Sequence, residues 1–198
     1  LVIGPTRELA EQTNKVFHTL GLHTKLHSVT IYGGVGMRPQ IDGLRRGAEI
    51  VVACPGRLLD HLRQRTIDLS HVEVLVLDEA DRMLDMGFAD AVAEIVAHTP
   101  KSRQTLLFSA TYPDEIRRMS RSIQRSPVTV SVETEHRAGV IEQIFYLAKR
   151  HERNNTLLAL FEHYQPESAL VFCHTKKQCD EVAEFLDANR IQCPAIPG

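Results

Sequence analysis

The sequence predicts an α/β fold in which a mainly parallel sheet is wrapped by helices. Three observations predict it. Short apolar runs rich in β-branched residues alternate with amphipathic stretches along most of the 198 residues. The run Val74-Leu75-Val76-Leu77 is continuously apolar, the pattern of a strand buried on both faces inside a parallel sheet. The runs also stop on glycines, small hydroxyl residues or acids, and the topology would set these corners along one edge of the sheet. Open α/β sheets bind ligands at the carboxyl ends of their strands.

Taken in order, Leu1-Val2-Ile3 reads as the end of a strand closed by Gly4-Pro5, with Thr6 as the N-cap of a helix that ends near Gly21. His27–Tyr32 is the next strand, stopped by Gly33-Gly34, and a short helix spans Pro39–Arg46. The strand Glu49–Ala53 ends at Cys54-Pro55-Gly56-Arg57 and runs into a helix carrying Leu58, Leu59 and Leu62. After the central strand, Ala91–His98 reads as helix, Thr105–Phe108 as strand, Pro113–Gln124 as helix and Val128–Val132 as a closing strand. Residues 133–140 are charged, small and aperiodic, an expected interdomain linker between a first domain of residues 1–132 and a second of residues 141–198. In the second, Ile141–Ala148, Ala169–Cys173 and Ile191–Ile196 read as strands, with helices over Thr156–Tyr164 and Cys179–Asn189. A unit that small is marginal for an independent core.

The net charge of -2 and pI near 6.6 do not announce a nucleic-acid binder. Any such site must be local, built from a few arginines, helix N-termini and backbone amides. The four cysteines have no C-x-x-C spacing, so neither a zinc site nor a disulfide framework is indicated, and a reducing, cytoplasmic setting is expected. No apolar run approaches the roughly 20 residues of a membrane-spanning helix. The chain opens on Leu1 in mid-strand, so it is expected to be a piece of a longer protein.

Asp78 and Glu79 carry the chemistry. An acid at a strand's carboxyl end can hold a hydrated magnesium ion, and a second acid beside it can polarise a water. Taken alone, an apolar run followed by Asp-Glu is equally a strand entering a polar loop. By spacing alone, Ser109 and Thr111 read as caps of the following helix, and each glycine as a tight turn. The arginines between Arg117 and Arg125 read as a solvated helix face.

The motifs together are more specific. Pro5-Thr6-Arg7-Glu8-Leu9-Ala10, Gly33-Gly34, Pro55-Gly56-Arg57, Asp78-Glu79-Ala80-Asp81 with its continuation Arg82–Phe88, Ser109-Ala110-Thr111 and Val171–Lys176 resemble, in order, motifs Ia, GG, Ib, II, III and IV of the DEAD-box ATP-dependent RNA helicases. The surroundings of motif IV suit bacterial members. The resemblance implies a RecA-like first helicase domain, incomplete at its start, and the beginning of a second. It implies ATP and Mg2+ as cofactors and RNA as a partner held by its backbone, with further ribonucleoprotein partners. Asp78 would hold the metal, Glu79 would polarise the attacking water, and Asp81 would link to Ser109 and Thr111. Thr6, Arg7, Gly33, Gly34, Gly56, Arg57, Thr175 and Lys176 would grip RNA. Departures are Cys54 where motif Ib usually opens with Thr, His174 where Asn is frequent, and Pro197 where His usually precedes Gly.

No Gly-Lys dipeptide occurs, so the chain holds no phosphate-cradling G-x-x-x-x-G-K-[ST] loop. Motifs V and VI are missing as well. The expectation is an RNA helicase of which these residues alone are inactive. The alternatives are a non-catalytic RNA-binding or scaffold protein with a degenerate helicase core, or a DNA-acting helicase. The intact acids disfavour the first, and the wording of motifs Ia and II disfavours the second.

Overall fold

The computed structural model describes residues 1–132 and 142–196. The chain divides into two compact units, Leu1–Ser131 and Val132–Gly198. The first contains β1 (Val2–Ile3), α1 (Arg7–Leu20), β2 (Ser28–Ile31), α2 (Met37–Arg45), β3 (Ile50–Ala53), α3 (Pro55–Arg63), β4 (Val74–Leu77), α4 (Ala80–Asp85), α5 (Ala89–Ala97), β5 (Gln104–Leu107) and α6 (Asp114–Ile123).

The five strands form one parallel sheet in the order β2-β3-β1-β4-β5. Its register sets Ile31, Ala53, Ile3, Leu77 and Leu107 in one row. The hydrogen bonding then runs on past the strand ends. Cys54 N donates to Ile31 O at 2.8 Å, Gly4 N to Ala53 O at 3.0 Å, Asp78 N to Ile3 O at 2.9 Å and Phe108 N to Leu77 O at 2.8 Å. The carboxyl ends are therefore flush, and the corner residues share one rim.

Alternation along each strand sorts the two faces. Ile3, Ile31, Ala53, Leu75 and Leu77 point into the main core, where they meet Leu58, Leu59, Met83, Val92, Ile95 and Ile116 from the helices. Each such Leu or Ile contributes about 1.5–3 kcal/mol by leaving water. Val2 and Val52 point the other way, against Ala10 and Phe17 of α1. That helix covers only part of its face. Val74 is 42% exposed, which corrects the expectation of a β4 buried on both sides.

Most expected elements form within a few residues of their predicted bounds. The expected strand at Val128–Val132 does not. The chain turns through Ser126 at φ 45°, and Val128 is 89% exposed with no ladder partner among the described residues. The expected linker, 133–140, lies outside the described residues.

In the second unit, a 3-10 turn at Arg150–Glu152 leads into α7 (Arg153–Tyr164), and α8 (Lys176–Ala188) follows. The three expected strands do not form there, although Ile141 itself lies outside the described residues. Residues 142–149, 169–173 and 191–196 pair with no strand among the described residues, and Phe145 and Phe172 are about nine-tenths exposed, at 89% and 91%. An apolar run becomes a strand only when a neighbour supplies its N–H and C=O groups in register. Here the helices α7 and α8 and the runs 169–173 and 191–196 instead line an open cavity of about 820 Å³.

Candidate functional site

The acid corner is built on the turn from β4 into α4. Asp78 is half-buried, and its Oδ1 accepts from the Glu79 amide at 3.0 Å. Glu79 sits in the left-handed region, φ 49° and ψ 51°, and serves as N-cap of α4 without a side-chain cap bond. For a residue with a Cβ this conformation costs about 1–3 kcal/mol. It is held because Ala80 N donates to Phe108 O at 3.0 Å, tying the turn to the end of β5. Glu79 Oε2 is enclosed and has no hydrogen-bond partner among the described residues, while Arg82 Nη1 stands off at 3.6 Å.

Asp81 joins this corner to the next. Its Oδ2 accepts from the Thr111 amide and hydroxyl, both at 2.8 Å, and its own amide donates to Ser109 Oγ at 3.2 Å. Ser109 Oγ in turn donates to Thr111 O at 2.7 Å. Burial pushes the Asp81 carboxyl up, but hydrogen bonds from Thr111, the Arg82 amide and Ser109 outweigh it and bring it below the ordinary Asp value. Ser109 and Thr111 are thus tied to Asp81; they cap no helix, since α6 has Pro113 at its N-cap position.

The glycine corners occupy the other half of the rim. Thr6 caps α1, its hydroxyl oxygen accepting from Leu9 N at 3.3 Å, which leaves the hydroxyl proton free to donate. Arg7 is exposed, with its guanidinium 5.1 Å from the centroid of the Tyr32 ring. The Tyr32 hydroxyl donates to Glu11, and that bond raises the phenol above its ordinary range. Gly33, Gly34 and Gly56 are exposed, and a Cβ on any of them would stand in open space. Gly34, at φ 80°, also needs the conformational freedom of glycine. Arg57 is less free than the sequence suggests: its side chain is only 16% exposed and donates to Val35 O at 2.8 Å. Cys54 occupies the N-cap position of α3 with no cap bond, and burial, then the Glu8 charge, push its thiol up to about 11.

In the second unit, Thr175 repeats the Thr6 arrangement. Its hydroxyl caps α8 by accepting from Gln178 N at 3.2 Å, and Lys176 follows as the exposed first helical residue.

Arg38 escapes a reading by motif. It is exposed on the second residue of α2, directly beyond the Gly33–Gly36 turn, in a first turn that holds no acid. The available signal was a cation just after a glycine-rich turn and before a helical stretch.

Comparison with known proteins accounts for this arrangement. Residues 1–119 match the family model described as DEAD/DEAH box helicase. The chain belongs to the DEAD/DEAH box helicase family. It is 42% identical, over its full length, to the ATP-dependent RNA helicase CshA of Listeria monocytogenes, of which it covers 38%. It is 39% identical to the DEAD-box ATP-dependent RNA helicase RhpA of Helicobacter pylori, again over its full length and covering 40% of that protein. Over 94% of the chain it is 43% identical to the ATP-dependent RNA helicase DbpA of Escherichia coli, covering 41% of it. The chain thus spans about two fifths of the length of these curated relatives. Among solved structures, a DEAD box protein from Methanococcus jannaschii matches all of this chain at 36% identity and a TM-score of 0.64, over 53% of its own length. A hypothetical ATP-dependent RNA helicase from Sulfolobus tokodaii matches 62% of the chain at 42% identity and a TM-score of 0.58, over 37% of its own length. The parallel sheet with flanking helices is the RecA-like fold of these domains. No helix among the described residues is long and apolar enough to cross a membrane.

Proposed function

We propose that this chain is part of an ATP-dependent RNA helicase that opens short duplexes, with hydrolysis at the acid corner and RNA held along the glycine corners. The observation that carries the proposal is the placement of an enclosed Glu79 oxygen, which has the Arg82 guanidinium at 3.6 Å but no hydrogen-bond donor among the described residues, beside Asp78 on the same rim as Gly33, Gly34 and Gly56. That oxygen keeps its hydrogen-bond accepting capacity, and a water to be polarised is a partner that would use it.

The acid corner fits Mg2+. Asp78 offers a hard oxygen at a strand end, and no group of three ligating side chains exists among the described residues. That suits an ion which keeps most of its waters and takes its remaining oxygens from phosphate. When bound, Mg2+ neutralises charge on the phosphates. Asp78 would hold the hydrated ion and Glu79 would orient and polarise the attacking water. Asp81, through Ser109 and Thr111, would pass changes at that corner to the loop after β5.

RNA contact by Thr6, Arg7, Gly33, Gly34, Gly56 and Arg57, with Thr175 and Lys176 from the second unit, is supported by charge. A cation at the first helical residue opposes the helix dipole, as Arg7 and Lys176 do. A phosphate seated there satisfies both the cation and the free amides. Such contacts go to the backbone, so binding would be largely independent of sequence. The domain limits of 1–132 and 141–198 around a linker at 133–140, the cytoplasmic setting, the bacterial origin and the ribonucleoprotein partners belong to the same proposal.

Glu79→Gln in the full-length protein tests it. Turnover should fall by about a hundredfold or more, the usual contribution of a positioned base, with nucleotide affinity largely kept. Near-normal hydrolysis would remove the role given to Glu79. These 198 residues alone, with no Gly-Lys loop, should show no turnover above background.

A further inference from the structure

Behind the glycine turn lies a buried polar chain that the proposed hydrolysis does not use. Gln40 is 6% exposed and His61 fully buried. Gln40 Nε2 donates to Tyr32 O at 3.1 Å and to Gly36 O at 3.3 Å, the two carbonyls that bracket the turn. His61 Nε2 lies 3.2 Å from Gln40 Oε1, and His61 Nδ1 lies 2.7 Å from Thr66 Oγ1. With Gln40 Oε1 facing it, His61 Nε2 must carry the proton of a neutral imidazole, and Nδ1 then accepts from the Thr66 hydroxyl. That hydroxyl also lies 3.1 Å from His61 O, a carbonyl that the Thr66 amide satisfies at 2.9 Å, and both Gln40 amide protons face the turn. Arg57 Nη1 holds the intervening Val35 carbonyl. Three carbonyls of one turn are thus drawn inward. The amides of Gly33, Gly34, Val35 and Gly36 donate to no protein acceptor among the described residues, and all four residues are exposed.

We infer that Gln40, oriented by His61, is a positioning residue that turns the Tyr32–Gly36 carbonyls inward so that the amides of this turn face a phosphate of the RNA backbone. This rests on the proposed RNA contact at Gly33 and Gly34. A carbonyl turned outward would repel a phosphate, and a flipped peptide exchanges donor for acceptor at the same place. Arg57, on this account, acts on RNA through the turn as well as by its charge.

The test uses the full-length protein and a fluorescein-labelled single-stranded RNA, read by anisotropy and by the RNA dependence of ATP turnover. Gln40→Met keeps the shape and removes both donors. It should weaken RNA affinity and raise KM for RNA about tenfold, the loss expected for one or two neutral hydrogen bonds. The kcat at saturating RNA should fall no more than about twofold. His61→Asn keeps a group only near Nδ1 and should behave like Gln40→Met. His61→Gln keeps a donor toward Gln40 Oε1 and should restore RNA affinity to within about threefold of wild type. Gly34→Val, at a left-handed position, serves as the reference for the turn. If Gly34→Val weakens RNA binding while Gln40→Met and His61→Asn leave it within twofold, the positioning role is overturned and the RNA contact stands. If Gly34→Val also leaves binding unchanged, RNA does not use this turn, and both fall. If Gln40→Met melts the protein, His61→Asn against His61→Gln decides. Equal losses in that pair, or a parallel loss of kcat and affinity for ATP, would mean a packing role only.

Discussion

The two halves of the rim are made from the same sheet and differ in the sign of what they present. On the glycine side, α1, α2 and α3 carry Arg7, Arg38 and Arg57 in their first turns, with Glu8 of α1 as the one acid among them. On the acid side, α4, α5 and α6 open with Asp81, Asp90 and the pair Asp114 and Glu115. Acids suit a helix N-terminus and cations oppose it. The acid half therefore carries the sign its helix ends favour, whereas the glycine half, Glu8 apart, carries the opposite sign and would gain from an anion. The halves are also braced differently, one by an Asp81–Thr111 link near the surface and the other by the Gln40–His61 chain in the interior. A net charge of -2 conceals this division, because the two sets of charges nearly cancel.

Breaking the brace on the acid side should have the largest effect. Asp81→Ala removes the acceptor of two hydrogen bonds from Thr111. In the full-length protein, duplex unwinding should drop about tenfold or more while ATP binding persists, with about 1–2 kcal/mol lost in urea melts. Equal losses of ATP binding and unwinding would show a general collapse of the corner. Reversing one charge on the other side comes next. Arg38→Glu should weaken RNA binding several-fold at low salt, with the difference shrinking as salt is raised. An unchanged salt slope would remove Arg38 from the RNA surface.

Two smaller effects sharpen the contrast. Burial, and then the Arg57 charge, hold His61 below the ordinary imidazole value, with Asp60 pulling the other way. The unfolded chain takes that proton first, so stability is full above about pH 6.5 and declines as the pH falls below it. Asp81 is depressed, so its contribution is present above about pH 3.9 and is lost only as the pH falls through its lower folded value. Mild acid should thus loosen the glycine half first. Urea midpoints at pH 7.5 and 5.5 should converge when His61→Gln is compared with wild type. The smallest change is Cys54→Thr, which supplies the missing cap of α3 and should add up to about 1 kcal/mol. The wild-type thiol, held near 11, should resist alkylation at pH 8 in the folded protein.

The sheet and its rim were legible because each strand announces itself locally. Ile3, Ile31, Ala53 and Leu77 end apolar runs, and Thr6 is a cap readable from four residues. The helix α4 was not legible: six residues long, it starts on a left-handed Glu79 that looks like no N-cap. Gln40 and His61 were hidden for another reason. They stand 21 residues apart, and each looks like an ordinary polar position until α2 and α3 bury it. The second unit shows the converse. Phe145, Leu170 and Phe172 carry strand-like patterns but remain exposed, since pairing is a property of two segments and a pattern belongs to one.

The left-handed turn at Glu79 carries a consequence for anyone who engineers this protein. Glycine or asparagine would sit there with less strain, so selection for heat resistance alone will be drawn to position 79. The survivors would be sturdier and would have lost the acid proposed to drive hydrolysis.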